Sequence, residues 1–242
     1  MMIPNELTDC YSDLQPADIY GAIEIAAITV LSRAFDMGVT ATYLPDDGLQ
    51  ITGMPHIGDP VEITHDRIGK KLRRHLLYAI EHELQTRQTV YEAERLRQLQ
   101  GKVLTGFPSG LDPDGSVRVE MDLSSQFRRY ILLGTCPRRY QPLHERDTYL
   151  RGKEYSWYVC SVLPVTNHRQ TKVRIVLSRT SKQLPAILLR QRSGIERIIC
   201  LSRIPGGPAD IVTAQKIPKD IINSVGKETG DIYRVRILKT QI

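Results

Sequence analysis

The stretch Lys172–Arg192 reads KVRIVLSRTSKQLPAILLRQR, and its two halves have different periods. Val173, Ile175 and Leu177 alternate with Lys172, Arg174 and Val176, the period-two pattern of a strand. From Leu184 onward, Ala186, Ile187, Leu188 and Leu189 follow at helical spacing. Ser178, Thr180 and Ser181 stand between the halves as candidate N-caps. The stretch predicts a strand that passes into a helix across Leu177-Ser178-Arg179-Thr180.

The surrounding chain has 242 residues, 41% hydrophobic and 25% charged, the composition of a soluble globular protein of one to three domains. No apolar run approaches the roughly 20 residues that cross a bilayer, and the start MMIPNELTDCYSD lacks the regions of a secretory signal. A cytoplasmic protein without membrane contact is expected. Cys10, Cys136, Cys160 and Cys200 are far apart and form no Cys-x-x-Cys pair, which points to neither a metal site nor a disulfide framework. Charge is unevenly spread. Residues 1–100 carry nine Lys/Arg against fifteen Asp/Glu, residues 101–191 fifteen against seven, and residues 192–242 nine against five. An acidic block followed by a basic one suggests two surfaces with different partners, the basic one suited to a phosphate backbone.

Ile19, Ala22, Ile23, Ala26, Ala27, Val30 and Leu31 predict an amphipathic helix over 17–34, with Pro16 at its start and Gly38 as its stop. VTATYL and LQITG, on either side of Pro45-Asp46-Asp47-Gly48, predict a hairpin whose paired aspartates are turn residues. A long helix over 67–99, capped by Thr64 or Asp66, carries the stripe Ile68, Leu72, Leu76, Ile80 and Leu84. Its first half is expected to pack on the first helix and hairpin, and its second half, Thr86–Leu99, to project as a connector. His75 and His82 lie seven apart on that helix with nothing nearby to complete a metal site.

From residue 101 the pattern changes to short strands. Gly101-Lys102-Val103-Leu104-Thr105-Gly106 opens the first, and Leu111-Asp112-Pro113-Asp114-Gly115 is a turn. Val117, Val119 and Met121 define the second, and Phe127–Leu133 a third. Arg138–Tyr149 is a polar connection. Tyr155–Leu163 makes a fourth strand, with Trp157 in the core, and the opening stretch makes the fifth. Five strands in about 80 residues fit a closed OB barrel. Such barrels grip single strands with aromatic platforms and a basic groove. The candidates are Phe127 and Tyr130 for stacking, with Arg128, Arg129, Arg138, Arg139, Arg169, Lys172 and Arg174 for phosphates. After the helix come strands at Ile195–Leu201 and Ala209–Thr213, a helix from Pro218 through Val225, and a strand at Asp231–Leu238.

The Leu-Ser-Arg-Thr junction, the Gly-x-Val-x-x-Gly opening and the long helix KLRRHLLYAIEHELQTRQTVYEAERL resemble the bacterial transcription factor family NusA. That resemblance implies an α+β multidomain chain of three parts. Residues 1–100 would form a helix, hairpin and long-helix domain that docks on RNA polymerase, and Arg73, Arg74, Leu77 and Glu81 would face the polymerase. Residues 101–191 would be the RNA-binding barrel with its linking helix, and residues 192–242 a shortened KH-like module. That module has room for one helix and lacks the Gly-x-x-Gly clamp, so any contacts with RNA would come from Arg203, Lys216 and Lys219.

The implied function is a monomeric elongation factor, without cofactor or metal. It would contact nascent single-stranded or structured RNA and modulate pausing, termination or antitermination. The alternative is a polymerase-independent RNA-binding protein acting on ribosomes or in translational regulation. An enzyme is not expected, since His144, Glu145 and Asp147 form the one compact acid/base cluster and lie in a connection.

Overall fold

The structure, a computed structural model, describes residues 3–122, 131–167 and 170–238. It divides into two units, Met1–Arg95 with Pro164–Val173, and Leu96–Leu163 with Arg174–Ile242. The elements that follow the barrel fall in the same unit as most of it.

In the first unit a short helix α1 (Asn5–Asp9) precedes α2 (Pro16–Phe35), where Pro16 occupies the first turn and needs no hydrogen-bond partner for a missing N–H. Ala22, Ile23, Ala26, Ala27, Val30 and Leu31 form its buried face. The helix stops earlier than its glycine. Asp36 takes the left-handed conformation at φ 52°, and Gly38 is instead the first residue of β1 (Gly38–Leu44). Strand β1 pairs antiparallel with β2 (Gly48–Met54), and the two-residue β3 (Val61–Glu62) extends the sheet.

Helix α3 spans Lys70–Leu96, because His65–Arg67 wind as a separate 3-10 turn before it and Arg97–Leu99 as another after it. Leu76, Ile80 and Leu84 are fully buried in one core with α2 and the hairpin, as their spacing predicts. The second half of α3 does not project freely. Thr89 and Ala93 are buried, and Arg87 donates to the Asp18 carbonyl and pairs with Glu83 at 3.7 Å. Among the described residues, no helix is long and apolar enough to cross a membrane.

Strands β4 (Val103–Leu111), β5 (Val117–Asp122), β6 (Ile131–Cys136), β7 (Tyr155–Asn167) and β8 (Gln170–Ser178) close a barrel in the order β4-β5-β6-β8-β7, all of it in the second unit except the end of β7 and the start of β8 within Pro164–Val173. β4 pairs antiparallel with β5 and β7, and β5 with β6, whereas β6 and β8 are parallel. The third strand is described over Ile131–Cys136 and runs past its expected end at Leu133, while the expected residues 127–130 lie outside the described residues. Val117, Val119, Met121, Trp157, Val159, Ile175 and Leu177 fill the interior. Trp157 lies in the core as expected, its indole N–H donating to the Gly106 carbonyl at 3.2 Å.

Helix α4 (Gln183–Ser193), β9 (Ile198–Arg203), β10 (Pro208–Thr213), α5 (Lys219–Thr229) and β11 (Ile232–Ile237) complete the unit. β10 lies between antiparallel β9 and parallel β11, with α5 as the crossover that a parallel pair requires. Leu184, Leu188 and Leu189 of α4 and Val225 of α5 share a core with Ile198, Cys200, Ala209 and Ile211 of the sheet.

Gly106 shows how tightly the barrel closes. A Cβ there would sit 2.8 Å from the Glu120 carbonyl oxygen and 2.9 Å from a Val119 methyl, with backbone unable to yield. Gly106→Ala is expected to cost about 1–3 kcal/mol in urea unfolding. Gly69→Ala, where an added methyl meets nothing within 4 Å, should stay within about 0.5 kcal/mol of the parent. Equal unfolding midpoints for both variants would contradict this packing.

Candidate nucleic-acid interface

The outer wall of the barrel is built by strand parity. Val119 and Met121 point inward, so Arg118 and Glu120 point out, and the register carries that parity across the sheet. One outward row runs Phe107–Glu120–Leu133 across β4, β5 and β6. The next runs Gly110–Arg118–Thr135–Val176 and reaches β8. Arg174, two residues before Val176 on the same face, falls beside Leu133. Phe107 and Leu133 are 41% and 61% exposed. The wall therefore offers an aromatic ring and an aliphatic side chain between arginines.

These arginines are positioned rather than loose. Arg118 lies across Gly110, where a Cβ would come within 2.8 Å of its guanidinium, and its Nε is 3.1 Å from Asp112. Arg138 packs on Gly115, whose φ of 77° suits glycine, and reaches Asp147 at 3.6 Å. Arg139 stacks on the Tyr140 ring at 4.8 Å. Gln141 donates from Nε2 to the carbonyls of Gly115 and Cys136, both at 2.9 Å, and so fastens this segment to the β4–β5 turn. In that turn the Asp114 carboxyl is held below its ordinary range by the Ser116 N–H and hydroxyl, and further by the charge of Arg174. Arg118, Arg138, Arg139 and Arg174 thus gather on one wall and its rim.

Other expected contacts fall elsewhere. Phe127, Arg128, Arg129, Tyr130 and Arg169 lie outside the described residues. Lys172 is exposed but belongs to the first unit. Lys216 and Lys219 are exposed at the entrance to α5. Arg203 is not on the surface: its side chain is 1% exposed and its Nε donates to Asp231 at 2.8 Å. Its Nη1 donates to the carbonyls of Arg179 and Ser181. Its Nη2 is buried without a hydrogen-bond partner among the described residues, so the guanidinium expected to meet RNA is turned away from solvent.

The residue that local pattern does not mark is Arg179, in the Leu-Ser-Arg-Thr junction. It is 1% exposed. Its Nε donates to Glu145 at 3.0 Å, Nη1 to the Ser156 carbonyl at 2.9 Å, and Nη2 to Glu145 and to the Glu228 carbonyl at 2.8 Å. The Tyr149 hydroxyl donates to the same carboxylate at 2.9 Å, and Tyr155 and Trp157 line the guanidinium. Burial acts to lower the pKa of Arg179, but the hydrogen bond and charge of Glu145 raise it above its ordinary value. Burial and the Glu145 charge push the Tyr149 hydroxyl up as well. The junction's other residues have jobs too. Leu177 fills the barrel against Gly134, and Ser178 accepts from the N–H groups of Thr180 and Ser181.

Of the acid/base cluster, His144 and Glu145 stay together, with His144 Nε2 3.7 Å from the carboxylate that Arg179 holds, while Asp147 is turned outward to Arg138. His144 fits between Gly206 and Gly230, where a Cβ would come within 2.1 and 2.5 Å of its ring. Among the described residues, no three His, Cys, Asp or Glu side chains are placed to hold a metal.

In the first unit, Arg73, Leu77 and Glu81 follow one another at four-residue spacing on α3, with Arg74 alongside. Arg74 and Glu81 are exposed, and Arg73 and Leu77 half-buried. His75 and His82 line a groove of about 670 Å³ between α2 and α3, walled largely by Ile25, Val30, Leu72 and Tyr78.

Comparison with protein-family models finds no match to the chain, and comparison with curated proteins finds none.

Removing the Glu145 charge would leave a buried cation with two carbonyl acceptors and, as remaining counter-charge, Glu228, which Arg192 already engages. Glu145→Gln is therefore expected to destabilise the chain by about 3–5 kcal/mol. The double variant Glu145→Leu with Arg179→Met should recover part of that loss, since it removes both charges. Urea unfolding followed by Trp157 fluorescence reads both, and a loss under about 1 kcal/mol for Glu145→Gln would contradict the assignment.

Proposed function

We propose that the chain is a shortened NusA-like transcription elongation factor. It docks on RNA polymerase through its first unit, along the Arg73–Leu77–Glu81 row of α3, and presents an OB-type barrel to nascent RNA. The observation that carries this reading is the barrel order β4-β5-β6-β8-β7, closed by a parallel β6–β8 pair, with the Leu-Ser-Arg-Thr junction at its exit. The element order α4-β9-β10-α5-β11, with parallel β10 and β11, supports a KH-like remnant behind it. No Gly-x-x-Gly clamp accompanies that module, so RNA contact falls to the outer barrel wall. Phe107 stacks a base, and Arg118, Arg138, Arg139 and Arg174 meet phosphates.

The mechanism is tethering, not catalysis. Once the first unit is docked, the barrel meets emerging RNA at high effective concentration, and weak contacts suffice to bias hairpin formation and pausing.

Two measurements test the reading. The purified full chain should co-elute with core RNA polymerase and lose that association on Leu77→Asp; absence of any association would remove the docking role. RNA binding in isolation would then favour the polymerase-independent alternative. On a single-stranded RNA oligomer, Phe107→Ala should weaken binding about 5- to 150-fold, the loss of one stacked base. Arg174→Ala should lower the salt slope of log K by about 0.7, one phosphate contact. Unchanged affinity and slope would clear the wall of this role.

A further inference from the structure

We propose that the open face of the C-terminal sheet is a docking surface for an acidic amphipathic helix of another protein. Helices α4 and α5 share a core with one face of this sheet. A sheet covered on one face alternates apolar and polar residues, whereas a strand covered on both reads as a continuous apolar run. Strand β9 reads Ile198-Ile199-Cys200-Leu201. Ile198 and Cys200 enter the core, while Ile199 and Leu201 point the other way and are 57% and 58% exposed. The sequence of β9 is that of a strand with a cover on each side.

The register fixes what shares this face. Ile199 sits across from Val212, and Val212 across from Arg236. A shift at Asp210/Ile211 leaves Leu201 without a partner, so that Ser202 lies opposite Asp210 and Asp210 opposite Arg234. The same bulge turns Arg203 inward to Asp231. At the far end Ile232, beside Pro208, is 71% exposed. The exposed aliphatic residues of β9 thus lie across the sheet from the arginines of β11, with Ile232 at the far end of β11.

Dimensions and charge select the occupant. Three strands at about 4.8 Å spacing put β9 and β11 about 10 Å apart, the width of one α-helix. A helix lying on the sheet would bury its apolar side on Ile199 and Leu201, above the already buried Val212, and hold acidic residues over Arg234 and Arg236. Arg197, Arg234 and Arg236 share this face with two carboxylates, Asp210, which Arg234 engages at 3.1 Å, and Glu196, which lines the same groove as Arg197. The balance on this face is positive. A second copy of the chain would set the same arginine row against itself in a two-fold contact. Single-stranded RNA would find no ring to stack on, since Tyr233, the aromatic residue of β11, points to the core side and bonds Thr229 and Asp231. The inference stands apart from the polymerase reading and survives its failure.

The test uses the full chain, ¹⁵N-labelled, and two synthetic helical peptides with the same leucine face, one with glutamates along its flanks and one with lysines. The glutamate peptide should shift the amides of Ile199, Leu201, Val212 and Arg236, and the lysine peptide should bind at least about tenfold more weakly. The pair Arg234→Glu and Arg236→Glu should reverse that preference. Leu201→Asp should abolish binding without lowering the unfolding midpoint, because Leu201 lies outside the core. Equal binding of both peptides, no binding by the glutamate peptide, or shifts centred elsewhere would overturn the proposal. So would displacement of the peptide by an RNA oligomer, or a concentration-dependent dimer that Leu201→Asp dissolves.

Discussion

A guanidinium with almost no contact with water governs the second unit. Transferring the charge of Arg179 out of solvent is unfavourable by several kcal/mol unless a counter-charge and hydrogen bonds replace the lost hydration. Those replacements come from three places: Glu145 in the β6–β7 connection, the Ser156 carbonyl on β7, and the Glu228 carbonyl at the end of α5. Moving the C-terminal module away from the barrel would strand the charge. A second buried pair, Arg203 with Asp231, is joined to the first through the Arg179 carbonyl and closes over the same junction. Pairs of this kind add little net stability compared with apolar packing, but they penalise every arrangement that leaves one partner alone. The barrel and the module after it therefore form one compact unit, although the sequence reads as two modules.

Much of the architecture is legible in local pattern. The switch from period two to helical spacing at Leu177–Leu184 locates the exit of the barrel, and the Leu76–Ile80–Leu84 stripe locates the core of α3, because burial of one face imposes those periods directly. What local pattern misses is set by long-range contact. Glu145 is 34 residues from Arg179, and no spacing rule joins a carboxylate in a polar connection to an arginine at a strand end. Arg203 follows the same logic: a basic residue before a Pro-Gly-Gly loop reads as surface until the β9 bulge turns it inward. Phe107 carries a weaker signal. With Gly106 and Pro108 inside the barrel, parity alone points the ring between them outward.

The two faces exposed on the second unit have different chemistry. The barrel wall mixes one ring, one leucine and several arginines. The C-terminal sheet presents aliphatic side chains beside a row of arginines and suits a folded, acidic partner. Because the Arg179 network fixes one face relative to the other, occupation of either constrains where the other can be.

Native-state hydrogen exchange on the full chain tests that coupling most directly. If Arg179 and Arg203 join the barrel to the C-terminal module, the slowest amides of β5 and β7 and those of β10 and α5 should exchange through one opening, with the same free energy and the same denaturant dependence. Exchange of β10 and α5 through a separate, lower-energy opening, with the barrel still protected, would contradict it.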